Sequence, residues 1–127
     1  MEEMLNYDFD FKVDGSMVRN YSVACSDKNP IHFSPHNVVP GGLITGLLLS
    51  NPVDNYYIRK MEIKFLNVTY YPATINIKRK VTSYKIGKSG IRAQMVMSAF
   101  VNGECVCEAS GEVFKPNEEF YDRIKGN

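Results

Sequence analysis

The sequence predicts an α+β domain in which one long antiparallel sheet wraps around a single buried helix. Three observations predict it. Apolar residues alternate with polar ones through much of the second half: Ile91, Ala93, Met95, Met97, Ala99 and Val101 are interleaved with Arg92, Gln94 and Ser98, the period of a strand with one wet face. The stretch from Leu43 to about Ser50 is apolar nearly all round, the mark of a helix buried on every side. The order is strand, short helix, loop, buried helix, then four long strands, so that helix is the only adequate cover for the apolar face of the sheet.

Each element has its own signal. Tyr7, Phe9 and Phe11 alternate with Asp8, Asp10 and Lys12 and predict the first strand. Asp14-Gly15-Ser16 supplies a turn and a cap, and Met17, Val18, Tyr21, Ala24 and Cys25 recur at helical spacing, predicting a short amphipathic helix to about Ser26. Residues 33–40 read as a loop, with His36 in solvent. Pro40-Gly41-Gly42 opens the buried helix, and Asn51-Pro52 ends it. Tyr57 to Tyr71 carries Met61, Ile63 and Phe65 in alternation, then Val68 and Tyr70 in the opposite phase, which predicts a β-bulge near Asn67. Ile75, Ile77 and Val81 mark the next strand. Gly87-Lys88-Ser89-Gly90 and Asn102-Gly103 are hairpin turns. Cys105, Cys107, Ala109, Gly111 and Val113 continue the alternation, which puts both cysteines on one face.

The 127 residues make a single domain, with a core over about 7–115 and a polar tail at 116–127 in which Phe120, Tyr121 and Ile124 could dock. A formal net charge of +1 gives no field of the kind that draws nucleic acid. The longest apolar stretch, Leu43 to Leu49, is too short to span a membrane. Met1-Glu2-Glu3-Met4 is acidic and no secretory signal follows, and an odd count of 3 cysteines fits reduced thiols, so a cytoplasmic location is expected. His32 and His36 lie far from Cys105 and Cys107 in sequence, so no metal site is expected.

The stretch Ser26-Asp27-Lys28-Asn29-Pro30-Ile31-His32 carries the chemistry. Pro30 fixes its own φ and keeps Asn29 out of the helical region. The chain must therefore turn after Asp27 and can bring His32 back beside it. A carboxylate and an imidazole meeting in a pocket are a general acid/base pair. The same residues would also suit a solvated turn, with Asp27 as a cap.

That motif, followed by a loop and a buried helix, resembles the MaoC-like family, which includes (R)-specific enoyl-CoA hydratases and acyl dehydratases. The family pattern is Ser-Gly-Asp-x-Asn-Pro-hydrophobic-His, with a His-Gly pair opening the buried helix. The resemblance covers about residues 7–115 and implies the hot-dog fold. It implies Asp27 and His32 as catalytic groups, Asn29 as a residue that orients the site, and Gly42 as the residue whose N–H holds the thioester oxygen. Three features depart from the pattern: Ser26 stands in place of glycine, Gly41 in place of histidine, and the 33–40 loop is short.

The implied reaction is reversible hydration of a 2-enoyl thioester to a 3-hydroxyacyl thioester, with one water held between Asp27 and His32. No cofactor is implied beyond the coenzyme A or acyl carrier that forms part of the substrate. Lys60, Lys64, Lys78, Arg79 and Lys80 are the candidates for the carrier's phosphates. A homodimer or higher homo-oligomer is expected, since exposed sheet edges favour pairing, and pairing with a different chain of the same fold is compatible with the resemblance. Two other functions fit the same fold: thioester hydrolysis with Asp27 activating water, and a non-catalytic acyl-CoA-binding or structural module.

Overall fold

Alternation in the sequence becomes a five-stranded antiparallel sheet. The computed structural model describes residues 6–50 and 56–118. In chain order its elements are β1 (Tyr7–Val13), α1 (Gly15–Cys25), a 3₁₀ turn (Pro30–His32), α2 (Gly41–Leu48), β2 (Tyr57–Phe65), β3 (Ala73–Ile86), β4 (Gly90–Val101) and β5 (Glu104–Pro116). The strands lie side by side as β1-β3-β4-β5-β2, every pairing antiparallel, so β1 and β2 are the two edges. The expected stop at Asn51-Pro52 and the docking residues Phe120, Tyr121 and Ile124 lie outside the described residues.

The alternation of β4 is realised at its centre: Ala93, Met95, Met97 and Ala99 are buried and Arg92 and Gln94 exposed, while Ile91, Ser98 and Val101 are half-buried. The inward faces of β3, β4 and β5 close on α2. Ile44, Leu47 and Leu48 of that helix join Ile75, Ile77, Met97, Ala99, Cys107 and Ala109 in one core cluster. Burying a leucine or isoleucine completely is worth about 1.5–3 kcal/mol each, so the apolar helix anchors the sheet. α1 is capped as its sequence predicts, the Asp14 carboxylate accepting from the Met17 N–H at 2.9 Å.

Several expectations change. The phase shift expected near Asn67 falls where β2 ends: the Leu66 and Asn67 N–H groups both donate to Val106 O, two residues against one as in a β-bulge, and residues 68–71 then leave β5 to pair with 37–39. Within the paired strands, further register irregularities fall at Ile58/Lys60, Val81/Ser83 and Ala99/Phe100. The last of these buries both Val106 and Cys107 and sets Cys105 opposite Phe100, so the two cysteines do not share a face. On α1 the buried positions are Val18 and Ser22; Ala24 and Cys25 are exposed, because the helix touches the core with a narrow stripe only.

Arg79 is no phosphate ligand. It is buried, and its guanidinium donates to Ser50 O at 2.7 Å and Leu48 O at 3.3 Å, beneath the Tyr7 ring. It thus caps the C-terminal end of α2, where a cation is favoured by the helix dipole. Desolvation pulls its pKa down from the usual arginine range. Lys78 is committed to Asp8 at 2.8 Å.

Candidate active site

The site begins where α1 stops. Ser26 takes the left-handed conformation (φ 54°), and its N–H and that of Asp27 bond back to Val23 O and Ser22 O. This is the usual way to end a helix, and glycine is its usual residue because it bears no Cβ. The glycine of the family pattern therefore has a backbone role that Ser26 fills under strain.

Beyond Ser26 the chain turns on two short side chains. The Asp27 Oδ1 accepts from the Asn29 N–H and the Asn29 Oδ1 from the Ile31 N–H, each at 3.2 Å. Pro30 then starts the 3₁₀ turn, and His32 comes back to Asp27 with Nε2 to Oδ2 at 3.0 Å. The imidazole is nearly buried, with side-chain exposure of 11%; the carboxylate keeps 32%. Asn29 thus acts on the backbone of the turn.

Three further groups fix the histidine. Its N–H donates to Asn29 O, its carbonyl accepts from the Tyr71 hydroxyl, and Nδ1 lies 3.0 Å from Val38 O. A carbonyl only accepts, so Nδ1 carries a proton. Nε2 and the Asp27 oxygen can then share a hydrogen bond only if one proton lies between them. The pair touches directly, so water does not sit between the two groups as expected.

Gly42 lies at the start of α2. Pro40 O receives the Leu43 and Ile44 N–H groups, and no side chain caps the helix. A β-carbon at Gly42 would collide with the Tyr21 hydroxyl. A β-carbon at Gly41 would come within 3.0 Å of the Phe65 ring. Burial raises the Tyr21 pKa, helped by a hydrogen bond with Cys25 and by the nearby Asp27. Tyr21 therefore joins the two halves of the site: its hydroxyl abuts Gly42 and feels the charge of Asp27.

His36 is exposed, as expected. No group of three or more His, Cys, Asp or Glu side chains that could hold a metal occurs among the described residues. No described helix is long and apolar enough to cross a membrane. Sequence reasoning missed Tyr21, Val38 and Tyr71 as parts of the site. Nothing in the local pattern singled these residues out, since their partners lie on other elements or, for Val38, on the backbone.

No family model matches the sequence, and no curated protein matches it. Solved structures do match. The (R)-hydratase from A. caviae involved in PHA biosynthesis aligns over 87% of this chain and 94% of its own, at 17% identity and TM-score 0.73. The HadBC (3R-hydroxyacyl-ACP dehydratase) complex from Mycobacterium tuberculosis aligns over 87% and 93%, at 16% identity and TM-score 0.66. A hypothetical thioesterase with coenzyme A from Streptococcus pneumoniae TIGR4 aligns over 86% and 77%, at 17% identity and TM-score 0.58. With its five antiparallel strands closed over one apolar helix, this chain has the hot-dog fold on which the MaoC-like hydratases and dehydratases are built.

Proposed function

We propose that the protein hydrates a 2-enoyl thioester reversibly to the 3-hydroxyacyl thioester, using Asp27 and His32 as its acid/base pair. The observation that carries this reading is the 3.0 Å contact between a histidine locked at Nδ1 and a carboxylate that still reaches solvent. Holding one proton, the pair has one to give and one place to take one. Water attacks C3 as one member removes its proton, and the other member delivers a proton to C2. The gained and lost protons then re-equilibrate across the Nε2–Oδ2 contact, and the pair returns to its starting state.

Negative charge gathers on the thioester oxygen during attack. The N–H of Gly42 at the start of α2 is suited to hold it, and one such donor is worth about 3–4 kcal/mol. Asn29 keeps the turn that sets Asp27 against His32. The chain's own residues need no resident cofactor for these steps; coenzyme A or a carrier enters as part of the substrate.

The edge strand β2 supports self-association, since Ile58 and Phe65 lie exposed on it next to half-buried Met61 and Ile63. A homodimer joined at this edge would cover them. A second chain of the same fold is the alternative partner.

Hydrolysis of the thioester is the second reading, favoured by the likeness to the hypothetical thioesterase. Incubation with crotonyl-CoA separates the two. Loss of the enoyl absorbance without free thiol supports hydration. Release of free thiol with the absorbance intact overturns it.

A further inference from the structure

Tyr21 has no place in the reading above, yet it stands at the centre of the site. It lies on α1, one turn and a half before Asp27, and its hydroxyl is packed against the α-carbon face of Gly42 so closely that no side chain fits there. The close approach that glycine permits at the start of α2 is therefore already used by a residue of this chain.

A phenol is a neutral O–H donor at neutral pH, and burial raises the Tyr21 pKa further. This donor lies at the end of α2 where the Gly41 and Gly42 N–H groups precede those of Leu43 and Ile44, which bond to Pro40 O. Helix N-termini favour oxygen atoms bearing negative charge. An oxygen that receives the Gly42 N–H would have the phenol within reach.

We propose that Tyr21 is a substrate-binding residue, whose hydroxyl donates to the thioester carbonyl oxygen beside the Gly42 N–H. The site then has two donors for that oxygen, one from the backbone of α2 and one from α1. Because α1 also delivers Asp27, the same helix sets the span between the donor to C1 oxygen and the acid/base pair that acts at C2 and C3. The proposal rests on the thioester reading of the site, and its test is chosen to separate the two.

The measurement is isotope-edited infrared spectroscopy of butyryl-CoA carrying ¹³C at C1, bound to the full chain. The saturated acyl group cannot be hydrated, so the band reports binding alone. The carbonyl stretch is expected to move to lower wavenumber on wild type and on Asp27→Asn, and Tyr21→Phe is expected to lose a large part of that shift. In parallel, crotonyl-CoA hydration by Tyr21→Phe should fall about 10²-fold in kcat with little change in KM, while its thermal unfolding matches wild type. An unchanged carbonyl shift in Tyr21→Phe overturns the role of Tyr21 even if hydration is observed. A diminished shift without any hydration upholds Tyr21 and overturns the reaction. Failure of wild type to bind butyryl-CoA overturns both.

Discussion

His32 donates its Nδ1–H to the Val38 carbonyl at 3.0 Å, and so only Nε2 is left to face Asp27. The ring is held in one tautomer by a residue six positions further along the chain. Acid/base work at this site must pass through a single nitrogen.

Asp27→Asn follows directly. The amide can still accept from the Asn29 N–H and donate to a neutral Nε2, so the turn survives, but no proton can be exchanged. Hydration should fall by about 10²–10⁴-fold with the unfolding curve unchanged. Activity within threefold of wild type would remove Asp27 from the chemistry.

Ser26→Gly should stabilise the protein. A non-glycine residue in the left-handed region costs about 1–2 kcal/mol, and glycine gives back about 0.5–1 kcal/mol through the unfolded chain. The net gain is about 0.5–1 kcal/mol, or a rise of about 2–6 °C in Tm. A lower Tm by calorimetry would mean that the Ser26 side chain contributes something that its strained backbone conceals.

Gly42 and Tyr21 should behave as a linked pair. Gly42→Ala forces its new methyl group against the phenol, and removing the hydroxyl relieves part of the clash; the ring carbon beneath it still lies 3.0 Å away. A double-mutant cycle of Gly42→Ala with Tyr21→Phe is expected to give an interaction energy of about 0.5–2 kcal/mol in urea unfolding. Strict additivity would show that the two are not in contact.

Arg79→Met removes the cap from α2 and leaves Leu48 O and Ser50 O buried without that donor. Hydrogen bonds from a charged group are worth about 1.5–3 kcal/mol each. A loss of about 2–4 kcal/mol in stability is expected, and Arg79→Lys should recover part of it, since an ammonium lacks the planar fork. A neutral Arg79→Met would place the anchoring of α2 wholly in its apolar contacts.

Alkaline pH should weaken the fold. Burial lifts the Cys107 thiol above its ordinary value of 9.0 and the Tyr21 phenol above 10.0. The folded state then holds these protons more tightly than the unfolded state does. The resulting stability is complete below the unfolded values and is lost as pH climbs through the folded ones. Urea midpoints should therefore drop as pH rises past the ordinary thiol and phenol values, and Cys107→Ala should flatten the drop. A midpoint that rises there would contradict the sign.

What the sequence disclosed and what it hid divide along one line. Alternation in β4, the all-round apolar stretch of α2 and the Asp27–His32 spacing depend on residues close in sequence, so they could be read locally. The role of Arg79 depends on carbonyls about thirty positions earlier, and on a strand a basic residue looks like wet surface. Val68 and Tyr70 kept a strand-like pattern because they do form a bridge, but with 37–39 rather than with β5. Alternation reports a face; it does not name the neighbour. The same holds for Tyr21, whose helical spacing marked it as core while its hydroxyl reaches the head of another helix.

The Tyr71 hydroxyl holds the backbone of His32, and two residues later the chain enters β3, which lies between β1 and β4 in the sheet. If the proposed hydration is this chain's reaction, its turnover doubles as a gauge of completed assembly. A chain that has collapsed around its apolar helix without docking β3 would then keep most of its helical signal and lack that activity. During refolding, recovery of activity should lag behind recovery of helicity and coincide with closure of the sheet.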